Sequence, residues 1–358
     1  MNVQVIDINN PLWLKILAQL RYDIYHLPEY LYLESKITRS IPEAILILDA
    51  EKIFFLPYLL RRCDDLFSED LSTDFFDIAS PYGYPGFLLN EAAAAAPEFL
   101  ILAIDKLKEV LNSKQICSGF FRLHPILNQK NEQLKNNICK VHGMTVAVDL
   151  TLDCQQIWHQ TRPSHRNKIN RCQRSGFTAK MMPLSEYINE FQEIYKETMK
   201  RVGSRKFYSF NKEYFEDLAN LLGNKLHLCV VEFNKQIACA GLFTECCGIV
   251  QYHLGGTKTS FLKDAPSKLM FNYVRFWAKE RGNQVFHLGG GLGCSRDSLY
   301  YFKAGFSKKS YTFSTLRLII NEEKYRYLVN LRAKTLNIQA EELLKLDFFP
   351  AYRFQEKG

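Results

Sequence analysis

The sequence lacks the short patterns that mark several large functional classes. None of its ten cysteines forms a Cys-x-x-Cys pair or has a histidine at zinc-site spacing, so it predicts no metal site. It has neither a G-x-G-x-x-G loop nor a phosphate-loop lysine, which leaves hydride transfer and nucleotide hydrolysis unsupported. No stretch approaches the roughly 18 to 20 uninterrupted apolar residues of a membrane-spanning helix. The sequence therefore predicts no transmembrane segment.

The sequence also predicts no secretory signal, and the charge balance is moderate. Residues 1–13 contain Asp7 and no basic segment, unlike a secretory signal. Cysteines scattered through a chain of this size are usually small buried residues of a reducing compartment, so we expect a cytoplasmic protein. The 46 basic and 38 acidic residues give a formal charge of +8, which is compatible with a polyanionic partner without requiring one. Nothing indicates DNA binding, and nothing fixes the oligomeric state.

Length and patterning predict two folded domains. The chain has 358 residues, of which 47% are hydrophobic, so it can bury more than one ordinary core. Strand-like and helix-like segments alternate along it, which predicts an α/β or α+β fold. We expect an N-terminal domain over residues 1–150, a second domain over 151–320, and a C-terminal helical extension over 321–358.

The strongest chemical signal lies in residues 284–306, QVFHLGGGLGCSRDSLYYFKAGF. A buried strand over residues 285–288 is followed by three glycines, Gly289, Gly290 and Gly291. Glycines allow positive φ and close backbone approach, and successive free N–H groups can bind an anion or a carbonyl oxygen. An ordinary turn is the alternative, because glycine runs are more common there.

Lys303 follows this loop, beside Phe302 and Phe306. A partly desolvated ammonium stabilises a developing oxyanion far better than it could in water, so the combination predicts acyl transfer with Lys303 as a catalytic residue. The alternative is a lysine that reaches solvent past its aromatic neighbours. Cys294 lies in the same loop, but the sequence gives it no partner histidine, so we predict no covalent intermediate.

Two other segments contain candidate binding residues. The turn SPYGYPG at residues 80–86 is fixed by prolines and glycines and presents Tyr82 and Tyr84; a structural plug is an equally good interpretation. Residues 162–174 carry five basic residues and no acid, and Pro163 suits the first turn of a helix. This pattern predicts phosphate binding, with Arg166 as a contact, or else a solvated helix face. The five are Arg162, Arg166, Lys168, Arg171 and Arg174.

Three strands are predicted over residues 226–232, 237–244 and 249–254. The third ends in QYHLGG, which echoes FHLGG at residues 286–290, so Tyr252, His253 and His287 are candidate contacts near glycine turns. For both histidines a core role is the commoner one.

Residues 267–282 predict a helix with Ser267 as its N-cap and with Leu269, Met270, Tyr273 and Trp277 on its buried face. The N-terminus of such a helix between two strands can receive an anionic or acyl-carrying ligand.

Taken as an ordered set, several of these motifs resemble one known family. RNKINRCQRSGF, the segment at residues 191–215, QYHLGGT, APSKLMF, AKERGNQVFHLGGG and DSLYYFKAGFS are similar to the C-terminal half of FemAB-type proteins. These are GNAT-fold acyltransferases, many of which move an aminoacyl group from tRNA to an amine of a peptidoglycan precursor. SPYGYPG resembles a motif of the N-terminal half, and the resemblance spans most of residues 20–320.

The resemblance implies two tandem GNAT-like domains, with the acceptor between them and the acyl donor in a channel of the second. It implies a transition-state role for Lys303, with Phe302 beside it, and acceptor binding by Arg201, Tyr208 and Tyr252. We add Ser298, in the polar segment before Lys303, as a substrate contact.

The resemblance leaves the donor open. The long helical arm that some members use is missing, and so is the pyrophosphate loop of simple N-acetyltransferases. We expect an acyl-CoA or aminoacyl-tRNA donor, no metal, and an amine of a cell-envelope precursor, sugar or small metabolite as acceptor, with tRNA as a conditional partner. The alternatives are an acetyl-CoA-dependent N-acetyltransferase acting on a polysaccharide or natural-product amine, and a non-catalytic binding module.

Overall fold

A computed structural model describes residues 1–63, 66–67, 75–129, 134, 138–203 and 210–355. The chain divides into two compact units, one formed by residues 1–142 and 313–358 and the other by residues 143–312. The domain boundaries predicted from the sequence, at residues 1–150, 151–320 and 321–358, stay a prediction. Residues 313–358 belong to the first unit.

The described residues contain thirteen strands and twelve α-helices. The strands are β1 Asn2–Asp7, β2 Ile41–Asp49, β3 Lys52–Arg62, β4 Phe76–Ala79, β5 Leu88–Leu89, β6 Ile116–Arg122, β7 Cys139–Asp149, β8 Thr178–Met182, β9 Leu226–Phe233, β10 Gln236–Cys246, β11 Ile249–Thr257, β12 Val285–Gly289 and β13 Ser310–Ile319. The helices are α1 Leu12–Leu17, α2 Pro28–Thr38, α3 Glu91–Ala94, α4 Pro97–Ser113, α5 Cys154–Gln160, α6 Pro163–Arg174, α7 Leu184–Arg201, α8 Lys212–Leu222, α9 Pro266–Glu280, α10 Ser298–Lys303, α11 Glu322–Leu336 and α12 Ala340–Lys345. No described helix is both long and apolar enough to cross a bilayer.

The first unit is built on a mixed sheet. Its strands run in the order β1-β2-β3-β4-β6-β13, with β5 paired to β3; only the β4–β6 pair is parallel. Strands β2 and β3 form a hairpin, which pairs from Ile41 with Leu60 to Asp49 with Lys52. Helix α4 buries an apolar face that includes Phe99, and this face joins the core of the sheet.

The second unit has a sheet in the order β7-β12-β11-β10-β9-β8. Strands β11 and β12 are parallel, as a strand-helix-strand connection through α9 requires, and the other pairs are antiparallel. Helix α9 packs Leu269 and Val274 into the same core as Val250 and Phe286. The three strands predicted over residues 226–254 are confirmed as β9, β10 and β11.

Helix α9 differs from its sequence-based description at two points. It begins at Pro266, and its N-cap, Ala265, makes no side-chain cap hydrogen bond, so Ser267 lies inside the first turn and is not the N-cap. Tyr273 and Trp277 are only partly buried, whereas Arg275 is fully buried. The sequence pattern missed this because periodicity assigns charged residues to the solvent face.

Candidate active site

The candidate site lies where two parallel strands part. Strands β11 and β12 pair from Ile249 with Val285 to Gln251 with His287, and at this last rung His287 Nδ1 lies 3.1 Å from Gln251 Oε1. Beyond it, β11 stays paired with β10 and β12 stays paired with β7. We call the space between the separated ends of β11 and β12 the strand gap.

Lys303 spans the mouth of the strand gap. Its Nζ donates a 2.6 Å hydrogen bond to the carbonyl oxygen of Gly290, just after β12, and lies 5.9 Å from the ring centroid of Tyr252 on β11. The side chain is 6% exposed. Burial lowers the pKa of Lys303 to about 8, partly offset by the charges of Asp297 and Cys294. The ammonium is therefore desolvated and can release a proton near neutral pH.

Helix α10 fixes the position of Lys303, its last residue. Asp297 caps this helix by accepting from the N–H of Tyr300, and its other oxygen accepts from the N–H of Leu292. Burial raises the pKa of Asp297, but these backbone bonds and Lys303 outweigh it and keep that pKa low. Gly291 fits against this turn so closely that a Cβ would lie 2.3 Å from Asp297 Oδ1. The loop before the helix is thus braced by one carboxylate.

The glycine run makes one contact that was not predicted. Gly289 ends β12 at a φ of 78°, which favours glycine, so the chain turns there as expected. The carbonyl of Gly290 accepts from the ammonium of Lys303, and ligand binding by the N–H groups of this run stays a prediction. Gly255 and Gly256, near Tyr252 and His253, lie within β11 and form no turn.

Strand β11 carries a bulge beside the site. Its pairing with β10 shifts between Leu242 and Phe243, which face Leu254 and Tyr252, so His253 is the extra residue. His253 is 8% exposed and His287 is fully buried. Bulges re-aim side chains next to functional sites, and here the bulge follows Tyr252 directly.

The beginning of α6 contacts the end of α10. His165 Nε2 bonds to the carbonyl oxygen of Phe302 at 2.9 Å, and the N–H of Arg162 donates to the carbonyl of Gly305 at 2.8 Å. Phe302 also packs edge-on against Phe271 at 5.3 Å. Sequence reasoning missed His165, which stands within the basic segment that drew attention only for its charges.

A cluster of basic side chains lies near the N-terminus of α9. Lys168 Nζ donates to the carbonyl of Lys263, in the loop that precedes α9. The pKa of Lys268 is lowered by burial first, and then by the positive charges of Lys168 and Arg162. Arg171 lies 4.0 Å from Asp264, at the limit of an ion pair. We call Arg162, Lys168 and Lys268 the basic cluster; Arg166 lies on the same helix and is half-buried.

The other predicted contacts are dispersed. Arg201 ends α7, where its guanidinium donates to Thr259 and Thr198 and lies 4.0 Å from Glu197. Ser298 is an exposed residue of the first turn of α10. Tyr208 lies outside the described residues.

Tyr82 and Tyr84 belong to the first unit, where the Tyr84 ring lies 5.3 Å from that of Phe313. The N–H of Tyr82 donates to Glu34, and burial raises the pKa of this carboxyl to about 7.

The described part of the chain contains no group of three or more His, Cys, Asp or Glu side chains that could hold a metal ion. The cysteines that it places are free thiols, six of them buried.

Comparison with known proteins gives one matching domain family and several similar structures. Residues 159–304 match the family described as "Acetyltransferase (GNAT) domain". No curated protein sequence matches the chain significantly. The structure of FemX is 14% identical and aligns over 91% of this chain and 99% of its own, with a TM-score of 0.69.

Two further structures share the fold. L-PGS from Bacillus licheniformis is 14% identical, over 94% of this chain and 98% of its own, with a TM-score of 0.54. A conserved protein of unknown function from Bacteroides thetaiotaomicron is 11% identical, over 89% and 99%, with a TM-score of 0.53. Residues 159–304 thus resemble a GNAT acetyltransferase domain, and the chain has the fold of FemX, as the FemAB-type resemblance predicted.

Proposed function

We propose that this protein transfers an acyl or aminoacyl group from a phosphate-bearing donor to an amine, and that the reacting carbonyl binds in the strand gap beside Lys303. The observation that carries the proposal is the buried ammonium, which is bonded to the neutral carbonyl of Gly290. The attraction of Asp297 and Cys294 offsets the burial of this charge only in part, so the ammonium can act on a ligand. A desolvated cation of this kind stabilises negative charge that develops on oxygen.

The reaction proceeds through one tetrahedral intermediate. The nitrogen of the acceptor attacks the carbonyl carbon, a C–N bond forms, and the carbonyl oxygen gains negative charge that Lys303 stabilises. The intermediate then collapses, the C–S or C–O bond to the donor breaks, and the leaving atom takes up a proton. With its pKa lowered to about 8, Lys303 can supply that proton and then recover one from the new amide nitrogen. No net proton is gained or lost by the protein.

The basic cluster supports a donor that carries phosphates. Its like charges lie close enough to lower the pKa of Lys268, which is unfavourable unless an anion neutralises them. The N-terminus of α9 adds the partial positive charge of a helix dipole. Acyl-CoA and aminoacyl-tRNA both present phosphates next to an activated acyl group, so both are candidate donors.

The acceptor is an amine of a cell-envelope precursor, as the FemX-like fold suggests, or of a sugar or small metabolite. The main alternative is acetyl-CoA-dependent N-acetylation, which the name of the matched domain family favours. In a non-catalytic binding module, Lys303 would matter for neither turnover nor ligand retention.

The test incubates the purified protein with radiolabelled acetyl-CoA or with charged tRNA, together with a panel of amine acceptors. We expect one donor class to give a new amide, identified by mass spectrometry, and Lys303→Met to lower the rate by about 10² to 10³-fold. Lys279→Met is the matched control, because Lys279 Nζ also donates to a backbone carbonyl, that of Leu150, but near the other end of α9. Near-normal activity of Lys303→Met, with its circular dichroism unchanged, would contradict the proposal.

A further inference from the structure

The first turn of α6 holds the last turn of α10 on both sides of Lys303. One bond joins His165 Nε2 to the carbonyl of Phe302, the residue before the lysine. The other joins the N–H of Arg162 to the carbonyl of Gly305, two residues after it. Both bonds fix the chain at the C-terminal end of a short helix, in addition to the N–H of Gly305 that donates to the carbonyl of Phe302.

We infer that His165 is a positioning residue: its imidazole holds the end of α10, and with it the ammonium of Lys303, at the mouth of the strand gap. This inference rests on the proposed function, because it assigns His165 a role in aligning the group that acts on the carbonyl. His165 itself does not touch the reacting atoms.

The protonation state of His165 fits a geometric role. Burial lowers its pKa to about 4, and the positive charges of Lys268, Arg162 and Arg275 add to this effect against the opposing hydrogen bond to Phe302. The imidazole is therefore neutral throughout the range in which the enzyme would work. Because its partner is a carbonyl oxygen, Nε2 must carry the single ring proton. The ring is thus a fixed donor and does not take part in acid–base exchange.

The packing around His165 leaves it one position. The ring is 4% exposed and lies 5.7 Å and 5.0 Å from the ring centroids of Phe302 and Phe306. Gly305 completes the fit, because a Cβ there would lie 2.3 Å from His165 Nε2. A side chain at position 305 would push the imidazole away from the Phe302 carbonyl without altering any ionisable group.

The arrangement also joins two parts of the proposed site on one element. Helix α6 carries Lys168 of the basic cluster, Arg166 beside it, and His165. An acyl donor bound through its phosphates to α6 would lie next to Lys303, which the same helix holds in position through His165. A displacement of about 1 Å between reacting groups can cost about 100-fold in rate, so such alignment is worth a dedicated contact.

Three variants separate positioning from bulk packing. His165→Phe keeps an aromatic ring but removes the N–H donor, and Gly305→Ala retains the imidazole but displaces it from the Phe302 carbonyl. His165→Gln offers an amide N–H near the position of Nε2. We expect kcat to fall by about tenfold or more in the first two, with the KM of the donor nearly unchanged, and the Gln variant to recover most of the rate. His159→Phe is the matched control, since His159 is exposed on α5 and its Nδ1 bonds to the carbonyl of Gln155 within the same helix.

A second readout does not depend on activity. The pH dependence of Lys303 acetylation by trace acetic anhydride, followed by peptide mass spectrometry, reports the apparent pKa of its amine. We expect a midpoint near 8 in the parent, and an upward shift of about half a pH unit or more in His165→Phe and Gly305→Ala, because the displaced lysine regains solvent. His165→Gln and His159→Phe should keep the parent midpoint.

The outcomes are distinguishable. An unchanged labelling midpoint and kcat in folded His165→Phe and Gly305→Ala would overturn the positioning role while leaving the proposed function intact. A shifted midpoint together with full activity of Lys303→Met would retain the contact but refute the proposed function. If His165→Phe fails to fold, Gly305→Ala and His165→Gln decide the question by the same two measurements.

Discussion

The ammonium of Lys303 is bonded to the carbonyl of Gly290 across 2.6 Å, although the two residues are 13 positions apart. Gly290 follows the end of β12, and Lys303 ends α10. This hydrogen bond fixes the otherwise flexible side chain of Lys303 at the mouth of the strand gap. The contact also keeps the ammonium buried. We therefore expect both the reaction rate and the stability of the fold to depend on the protonation of Lys303.

The pH dependence of activity should report that proton. If the charged form of Lys303 stabilises the oxyanion, the rate falls as pH rises through about 8, the lowered pKa of this side chain. In Lys303→Arg the cation persists to much higher pH, so the alkaline limb should move above about pH 10, on a lower rate overall. Steady-state rates from pH 6 to 10 test this prediction. If the alkaline limb of the Lys303→Arg profile stays near pH 8, the limb belongs to the titration of another group.

Removal of the buried charge should stabilise the protein at neutral pH. Since the folded pKa lies below that of the unfolded chain, the unfolded state binds more protons between about pH 8 and 10.5, and stability rises with pH over that interval. Charging Lys303 costs about 3 kcal/mol at pH 7, partly offset by its bond to Gly290. Lys303→Met should therefore melt higher than the parent at pH 7, and the difference should shrink at pH 10. A lower melting temperature for Lys303→Met than for the parent at pH 7 would contradict a free-energy cost of charging Lys303.

The loop before α10 should tolerate a side chain at one glycine and reject it at another. In Gly291→Ala the new Cβ would lie 2.2 Å from the carbonyl of Ser295, so the turn must rearrange and activity should fall by about tenfold or more. Gly293→Asn is the control, because that position has open space and a φ of 58°, which asparagine accepts. Equal rates for the two variants would show that the loop does not set the geometry.

A buried ion pair should dominate the stability of the first unit. Arg353 Nη2 lies 3.0 Å from Asp77 Oδ1, and Arg61 Nε lies 2.8 Å from the same oxygen. Arg353→Met should lower the free energy of unfolding by about 3 to 5 kcal/mol, because it weakens compensation of a buried carboxylate. The control Arg326→Met removes an exposed pair with Glu322 and should cost less than about 0.5 kcal/mol. Urea unfolding at pH 7 measures both.

The same pair predicts an acid limit. Burial raises the pKa of Asp77, but Arg61 and Arg353 outweigh it, so the net direction is downward. The stability that Asp77 contributes is therefore present above the pKa of the unfolded chain and is lost as pH falls towards the folded value. Parent and Arg353→Met should converge in stability on acidification below about pH 4. A gap that widens there would contradict this assignment.

Donor affinity should depend on the basic cluster and on salt. Lys268→Ala should raise the KM of the donor about threefold to tenfold with little change in kcat, because we propose that this lysine binds phosphate and does not act on the carbonyl. Lys212→Ala is the control, since Lys212 is exposed on α8 and pairs with Glu216. The KM should also rise with ionic strength in the parent and less so in Lys268→Ala, and equal salt slopes would argue against a phosphate contact.

The sequence determined several of the elements. Proline suits the first turn of a helix, and α6 does begin at Pro163, as this local signal predicted. The FemAB-type resemblance predicted the fold, because it depends on an ordered set of motifs. Local signals failed at α9, where a fully buried Arg275 is held by Thr161 and Asn272.

Only the tertiary structure decided how the site is assembled. The strand gap, the bulge at His253 and the bond from Lys303 to a carbonyl join residues that are distant in the chain, and no spacing rule relates them. His165 illustrates the reason. A histidine at this position neither strengthens nor weakens the helical pattern of α6, and its proposed role depends on a hydrogen bond to a residue 137 positions away. Periodicity reports which face of an element is buried, whereas the contacts made by that face depend on how the chain folds back on itself.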